Sequence, residues 1–345
     1  MENENKTISI IIPVYNAEKY IVNTIETAET QEKYVDYEIV IVNDGSTDSS
    51  KKQVEDLIKA KNYKNIRLIN TKNNGVSIAR NIGIQESKGD YIIFLDADDE
   101  LKSNALKELS KIIKYNHDII VFNYEYKELN NNIKQRIIYD EESKKIDNEK
   151  LKMSAISSSK LNNVWQFCIS REYLIANNIK FKKDIKIAED LFFNLEMISY
   201  NPSIYYLNEI LYRYNFNPGS AMQNLDLKKI EQRLQDTTNL YIKFYDYLKR
   251  WNINTEENRS KVALKYYRLL YHEFNQIIKS RSKFKDKIFV MKKYIKVKET
   301  KINKRNIKIR DYITNDLFFL YIENIYLYYA SRIIKNKIKK FVEGK

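Results

Sequence analysis

The first 120 residues alternate two hydrophobic patterns. Residues 8–14, 38–42, 66–70 and 91–95 are near-continuous apolar or β-branched runs, as expected of parallel strands covered on both faces. Between them, residues 17–31, 49–60 and 76–87 place apolar side chains at helical spacing, for example Ile21, Ile25 and Ala28. This alternation predicts right-handed βαβ units and a doubly wound, mostly parallel sheet flanked by helices. Further on, the pattern predicts a helix over 103–116 and a hairpin from 119–127 and 133–139, then polar helix and loop over 140–163. A buried strand at 164–169, helices at 171–177 and 188–200, and two edge strands at 203–207 and 211–216 follow. From residue 226 onward only amphipathic helices are expected, at 226–250, 256–280, 284–298 and 312–341. The expected organisation is an α/β domain over 1–222 and a C-terminal α-helical extension over 223–345.

Charge separates the same two parts. Residues 221–345 hold 30 Lys and Arg against 13 Asp and Glu, a net +17, whereas residues 1–220 carry −3. A basic helical tail suits an anionic surface. Nucleic acid is not expected, because no recognition motif accompanies the charge. Over 312–345 an aromatic band (Phe318, Phe319, Tyr321, Tyr326) precedes a lysine cluster. That order fits an amphipathic helix on an anionic membrane, and equally one packed on the α/β domain or on a second subunit in a homo-oligomer. The polar N-terminus lacks a leader-like apolar stretch and the single cysteine, Cys168, lies in an apolar run. Both favour a cytoplasmic protein, peripheral on the inner face of the membrane.

The chemistry gathers at strand ends. Tyr15-Asn16, Asn43-Asp44-Gly45 and Asp96-Ala97-Asp98-Asp99 each follow an expected parallel strand, and in open α/β sheets ligands bind at the carboxyl ends of strands. Three carboxylates within four positions repel one another unless a cation offsets them. With oxygen ligands alone that cation is Mg²⁺ or Mn²⁺. No phosphate-binding glycine loop is present, so a diphosphate would rely on the metal and on a basic side chain such as Arg80. Glu189 and Asp190 open a predicted helix and project about 100° apart.

The segments SIIIPVYNAEKYI (9–21), IVNDGSTDSS (41–50), NNGVSIARNIGI (73–84) and GDYIIFLDADD (89–99), with IAEDLFF (187–193) downstream, resemble the successive motifs of the family 2 glycosyltransferases. The resemblance runs to about residue 220. It implies a GT-A fold, with a nucleotide-sugar-binding half over 1–120 and an acceptor-binding half over 121–222. It also implies an inverting reaction on a UDP-sugar donor. Carried over by position, Pro13 and Tyr15 line the nucleobase pocket, with Asn16, Glu18 and Gly75 among the donor-binding loops. Asp44 accepts a hydrogen bond from the base, Arg80 lies near the base and diphosphate, and Asp96 faces the ribose and sugar. Asp98 holds the metal with Asp96 beside it, and Asp190, next to Glu189, is the general base. Phe167, Asn215 and Asn217 stand where the family often has basic residues.

The expected function is transfer of a hexose or N-acetylhexosamine to a lipid-linked or oligosaccharide acceptor of a surface polysaccharide. A non-catalytic nucleotide-sugar-binding subunit and a sugar-nucleotide nucleotidyltransferase are the alternatives.

Overall fold

The computed structural model describes residues 6–31, 34–185, 188–217 and 225–295. The chain forms two compact units, one from residues 1–155 with 159–217, the other from 156–158 with 218–345.

In the first unit, β1 (Ile8–Val14), β2 (Tyr37–Asp44), β3 (Ile66–Thr71) and β4 (Tyr91–Phe94) alternate with α1 (Ile21–Glu29), α2 (Ser50–Lys61) and α3 (Val76–Glu86). β1 lies between β2 and β4, parallel to both, and β3 extends the parallel ladder. Every residue of β1 is buried, as its unbroken apolar run requires. α3 packs so close to β1 that a Cβ on Gly83 would lie 2.3 Å from Ile11 Cγ2. Glycine there lets the helix carrying Arg80 sit directly on the sheet.

The second half contributes β5 (Glu100–Leu101), α4 (Ala105–Ile113), β6 (Ile119–Lys127), β7 (Ile133–Arg136), β8 (Lys144–Ile146), α5 (Asn148–Ser157), β9 (Phe167–Ser170), α6 (Arg171–Ala176), α7 (Glu189–Met197) and β10 (Ile204–Asn215). The sheet order is β3-β2-β1-β4-β9-β6-β10-β5, with β7 beside β6 and β8 beside β10. β9 runs antiparallel between β4 and β6 and joins the halves. The result is a mixed, mostly parallel sheet flanked by helices.

Three expectations are corrected. The two edge strands are one strand, β10, lined by β6 on one side and by β8 and β5 on the other. Its register shifts between Leu207 and Tyr212, where Asn208 and Glu209 interrupt the apolar pattern, and Asn208 accepts from Asn123 Nδ2 at 2.8 Å. The 164–169 strand begins instead as a 3₁₀ turn, Val164–Gln166, because Asn163 and Gln166 cap it reciprocally. β8 was not foreseen, since Lys144 and Lys145 are exposed and carry no apolar signal.

The second unit contains α8 (Leu227–Arg250), α9 (Glu256–Lys279) and α10 (Phe284–Ile295). Asp226 caps α8 by accepting from the Lys228 and Lys229 amides, and Thr255 caps α9. Between α8 and α9, Arg233 and Glu273 form a buried ion pair at 2.9 Å, and Tyr241 stacks on Tyr266 at 4.4 Å. The helix expected at 312–341, with its aromatic and lysine residues, lies outside the described residues. Among the described residues no helix is long and apolar enough to cross a membrane.

Candidate active site

The loops after β1, β2 and β3 are tied to one another. Asn16 takes a left-handed conformation, φ 51°, a region asparagine tolerates better than most residues. Its amide donates to Ser46 Oγ at 3.1 Å, and its Oδ1 accepts from the Thr47 amide at 2.8 Å. Glu18 Oε2 accepts from the Ser49 amide at 2.9 Å. Asn16 and Glu18, expected among the donor contacts, are therefore engaged in joining two loops. Asp44 is buried, and its two oxygens accept from the Asn74 and Gly75 amides at 2.9 and 2.8 Å. Gly75 starts α3 at φ 92°, ψ 158°, backbone that only glycine adopts without strain. Pro13 is buried, while Tyr15 stands 50% exposed beside these loops.

At the end of β4 the acidic cluster separates by environment. Asp99 is fully buried, with Oδ1 accepting from the Asn215 amide at 2.8 Å and Oδ2 from Tyr212 Oη at 2.7 Å. Burial, then the charges of Asp96 and Asp98, hold its pKa well above the ordinary carboxylate value. Asp98 is raised for the same first reason, with Asp96 adding to it and the Asn217 amide opposing. Asn217 Nδ2 donates to Asp98 Oδ2 at 2.9 Å, and Asn215 Nδ2 to the Asp98 carbonyl at 3.0 Å. The two asparagines that replace the expected basic residues thus hold the acidic turn in place.

Arg80 organises the rest. Its side chain is only 4% exposed; Nη2 donates to Asp96 Oδ1 at 2.9 Å, and Nη1 to Asp190 Oδ1 at 2.6 Å and Glu189 Oε1 at 3.2 Å. The guanidinium also lies over the Phe181 ring, 5.3 Å from its centroid. Arg80 was expected near the diphosphate; its terminal nitrogens are bound to carboxylates instead. Glu189 and Asp190 were expected to diverge, yet both reach the same nitrogen. Ala188 enters α7 in a left-handed conformation, φ 61°, and the longer glutamate spans the difference. Asp190 Oδ2 accepts from the Val164 amide at 3.0 Å. Burial raises the Asp190 pKa to about 7, with Arg80 pulling it down and Glu189 and Asp96 pushing it further up. Three acids sharing one cation leave the cluster negatively charged, which favours a proton on the most buried of them.

Three contributors were missed in the sequence. The Val164 amide has no side-chain signal at all. Phe181 and Tyr212 are ordinary in sequence and gain importance only through the contacts above.

No three His, Cys, Asp or Glu side chains among the described residues form a metal-holding group on their own. The donor chemistry still fits a hard cation. Asp98 and Asp96 offer oxygen only, and burial with like charge raises Asp98 in the absence of a counter-charge.

The site is a crevice at the carboxyl ends of a mostly parallel sheet, where carboxylates gather around one arginine. Residues 9–175 match the family described as glycosyl transferase family 2. The chain is 32% identical over 243 residues to the uncharacterized glycosyltransferase EpsJ of Bacillus subtilis (strain 168), covering 70% of each. It is 28% identical over 298 residues to the poly(ribitol-phosphate) beta-N-acetylglucosaminyltransferase TarP of Staphylococcus aureus (strain N315), covering 82% of this chain and 85% of that one. Residues 1–349 of S. aureus TarS in complex with UDP-GlcNAc share the fold, with a TM-score of 0.65, 17% identity and coverage of 98% and 92%. The chain belongs to the family 2 glycosyltransferases and is a glycosyltransferase of GT-A type. That membership sets aside the nucleotidyltransferase alternative.

Proposed function

We propose that this enzyme moves a sugar, with inversion, from a UDP-linked donor to a hydroxyl of a surface-polysaccharide or polyol-phosphate acceptor. The observation that carries the reading is the placement of Asp190. It is a buried carboxylate with one oxygen on the Val164 amide and the other on Arg80, whose far nitrogen holds Asp96. A base for inversion must take the acceptor proton opposite the departing diphosphate, and one guanidinium linking base to donor-side acid fixes that relation. Pro13, Tyr15 and Asp44 flank the nucleobase, with Gly75 closing the pocket on the α3 side and Asp96 facing the ribose and sugar. N-acetylglucosamine is the favoured sugar, because the similar TarS structure is a complex with UDP-GlcNAc and TarP is by name a beta-N-acetylglucosaminyltransferase.

A Mn²⁺ or Mg²⁺ ion would be held by Asp98 with Asp96 beside it, and when bound would supply positive charge to the departing diphosphate. Asp98→Asn is expected to cut UDP-GlcNAc turnover at least 100-fold and to flatten its dependence on added Mn²⁺. Excess chelator should silence the parent enzyme. A nucleotide-release assay checks both, and full turnover in chelator would remove the metal from this reading. The basic segment 223–345 is proposed to bring the enzyme to an anionic membrane, where its acceptor is carried.

A further inference from the structure

One face of the second half-sheet carries a row of rings leading away from the acidic cluster. Tyr212 Oη donates to Asp99 and accepts from the Asp96 amide at 3.2 Å, which puts it at the inner end. Trp165 stacks on Tyr212 with centroids 4.3 Å apart and planes 4° apart. Tyr214 lies 6.1 Å beyond Trp165, Tyr126 stacks on Tyr214 at 5.5 Å, and Phe216 meets Tyr126 at 6.4 Å. Register explains the alignment: Tyr212 pairs with Tyr124 and Tyr214 with Tyr126, so all four rings share a face. Trp165 and Tyr212 are buried, but Tyr126, Tyr214 and Phe216 keep part of their surface open.

The row ends at a basic edge. β7 is exposed along its length and pairs Arg136 with Tyr124 and Lys134 with Tyr126. Lys134 is paired with Glu128, whereas Arg136 forms no ion pair among the described residues. Partly exposed ring faces suit the C–H faces of sugar or polyol units, and an unpaired guanidinium suits a phosphate or carboxylate.

We propose that this strip, from Tyr214 through Tyr126 to Arg136, is the acceptor subsite, and that the acceptor is an anionic glycan or polyol chain. The proposal deepens the transferase reading and rests on it. Charge complementarity at β7 and continuity with the acidic cluster select this occupant over a neutral one.

The protein has two tryptophans, Trp165 and Trp251, so Trp251→Phe in the full chain leaves Trp165 as a fluorescent reporter inside the strip. The probes are a short poly(glycerol phosphate) oligomer, neutral chitotetraose, and UDP with Mn²⁺. The phosphate oligomer should change Trp165 emission with an affinity that weakens as salt rises. Arg136→Gln, a surface change that leaves the fold intact, should weaken its binding about 10-fold and abolish the salt dependence. Tyr126→Ala should weaken it similarly, and Tyr126→Phe should restore it, because the ring remains. Unchanged binding in Arg136→Gln and Tyr126→Ala would overturn the proposal, as would chitotetraose binding as tightly as the oligomer. UDP binding separates the two readings. If UDP binds normally and the oligomer does not, the subsite is wrong and the donor site stands. If UDP fails to bind the parent protein, the donor reading falls and the oligomer result still judges the strip.

Discussion

Asp190→Asn is expected to lower the rate of sugar transfer by roughly 10²–10⁴-fold while leaving UDP affinity within about 2-fold, the usual contribution of a general base. The substitution keeps an oxygen for the Val164 amide, and Arg80 retains Asp96 and Glu189, so the local structure should hold. Two further consequences follow from the raised pKa of Asp190, which burial brings to about 7. A base must be ionised to accept a proton. The rate in the parent enzyme should therefore fall as pH drops through that region, well above the ordinary aspartate value near 4, and Asp190→Asn should lack this limb. Stability moves the other way. The folded protein binds this proton more tightly than the unfolded chain, so Asp190 contributes less stability as pH rises between the two values. Asp190→Asn should then melt no lower than the parent at pH 8. A pH–rate series and melting curves on the same preparations check both. If Glu189→Gln is the silent variant and Asp190→Asn is active, the other carboxylate is the base.

Arg80→Met is expected to cost about 3–5 kcal/mol of stability, the range for removing one partner of a buried charge cluster. Its guanidinium is the shared partner of Asp96, Glu189 and Asp190 and also covers the Phe181 ring. Without it the acids repel one another with no cation between them, so the raised proton affinity of Asp190 rises further. The sign is fixed by that rise. Stability lost in Arg80→Met should grow with pH, and turnover at neutral pH should vanish because Asp190 stays protonated. Arg80→Lys should fall between the two, since one ammonium cannot bridge both sides of the cluster as a planar fork does. Chemical denaturation at pH 6 and pH 8 tests this. An Arg80→Met variant as stable as the parent at both would show that the cluster does not depend on its cation.

The legible parts of the protein were those with a repeating signal. β1 to β4 and α1 to α3 follow from unbroken apolar runs and helical spacing, and the strand-end loops that bring Asp44 and Asp96 into one region follow from the same alternation. Harder to read were features created by tertiary pairing. β10 looked like two edge strands because Asn208 and Glu209 break its pattern, and only its pairing with β6 keeps it continuous. The polar run at 140–163 hid β8, whose lysines face outward. In the site, residue identity was readable but residue partnership was not. Arg80 reads as a phosphate ligand in sequence, and the three carboxylates it holds come from segments up to 110 positions away. Asn215 and Asn217 read as lost cations, yet their amides hold Asp98 from the far strand.

On the proposed reading, transfer from the nucleotide sugar inverts the anomeric centre, with Asp190 drawing the proton from the acceptor. Its most direct test is the anomeric configuration of the first product formed from UDP-GlcNAc, read by proton NMR before any equilibration. The donor's sugar is α-linked to the diphosphate, so attack from the face on which Asp190 acts predicts a β-linked product, absent in Asp190→Asn. An α-linked product, or a β-linked product formed at the parent rate by Asp190→Asn, would contradict the account.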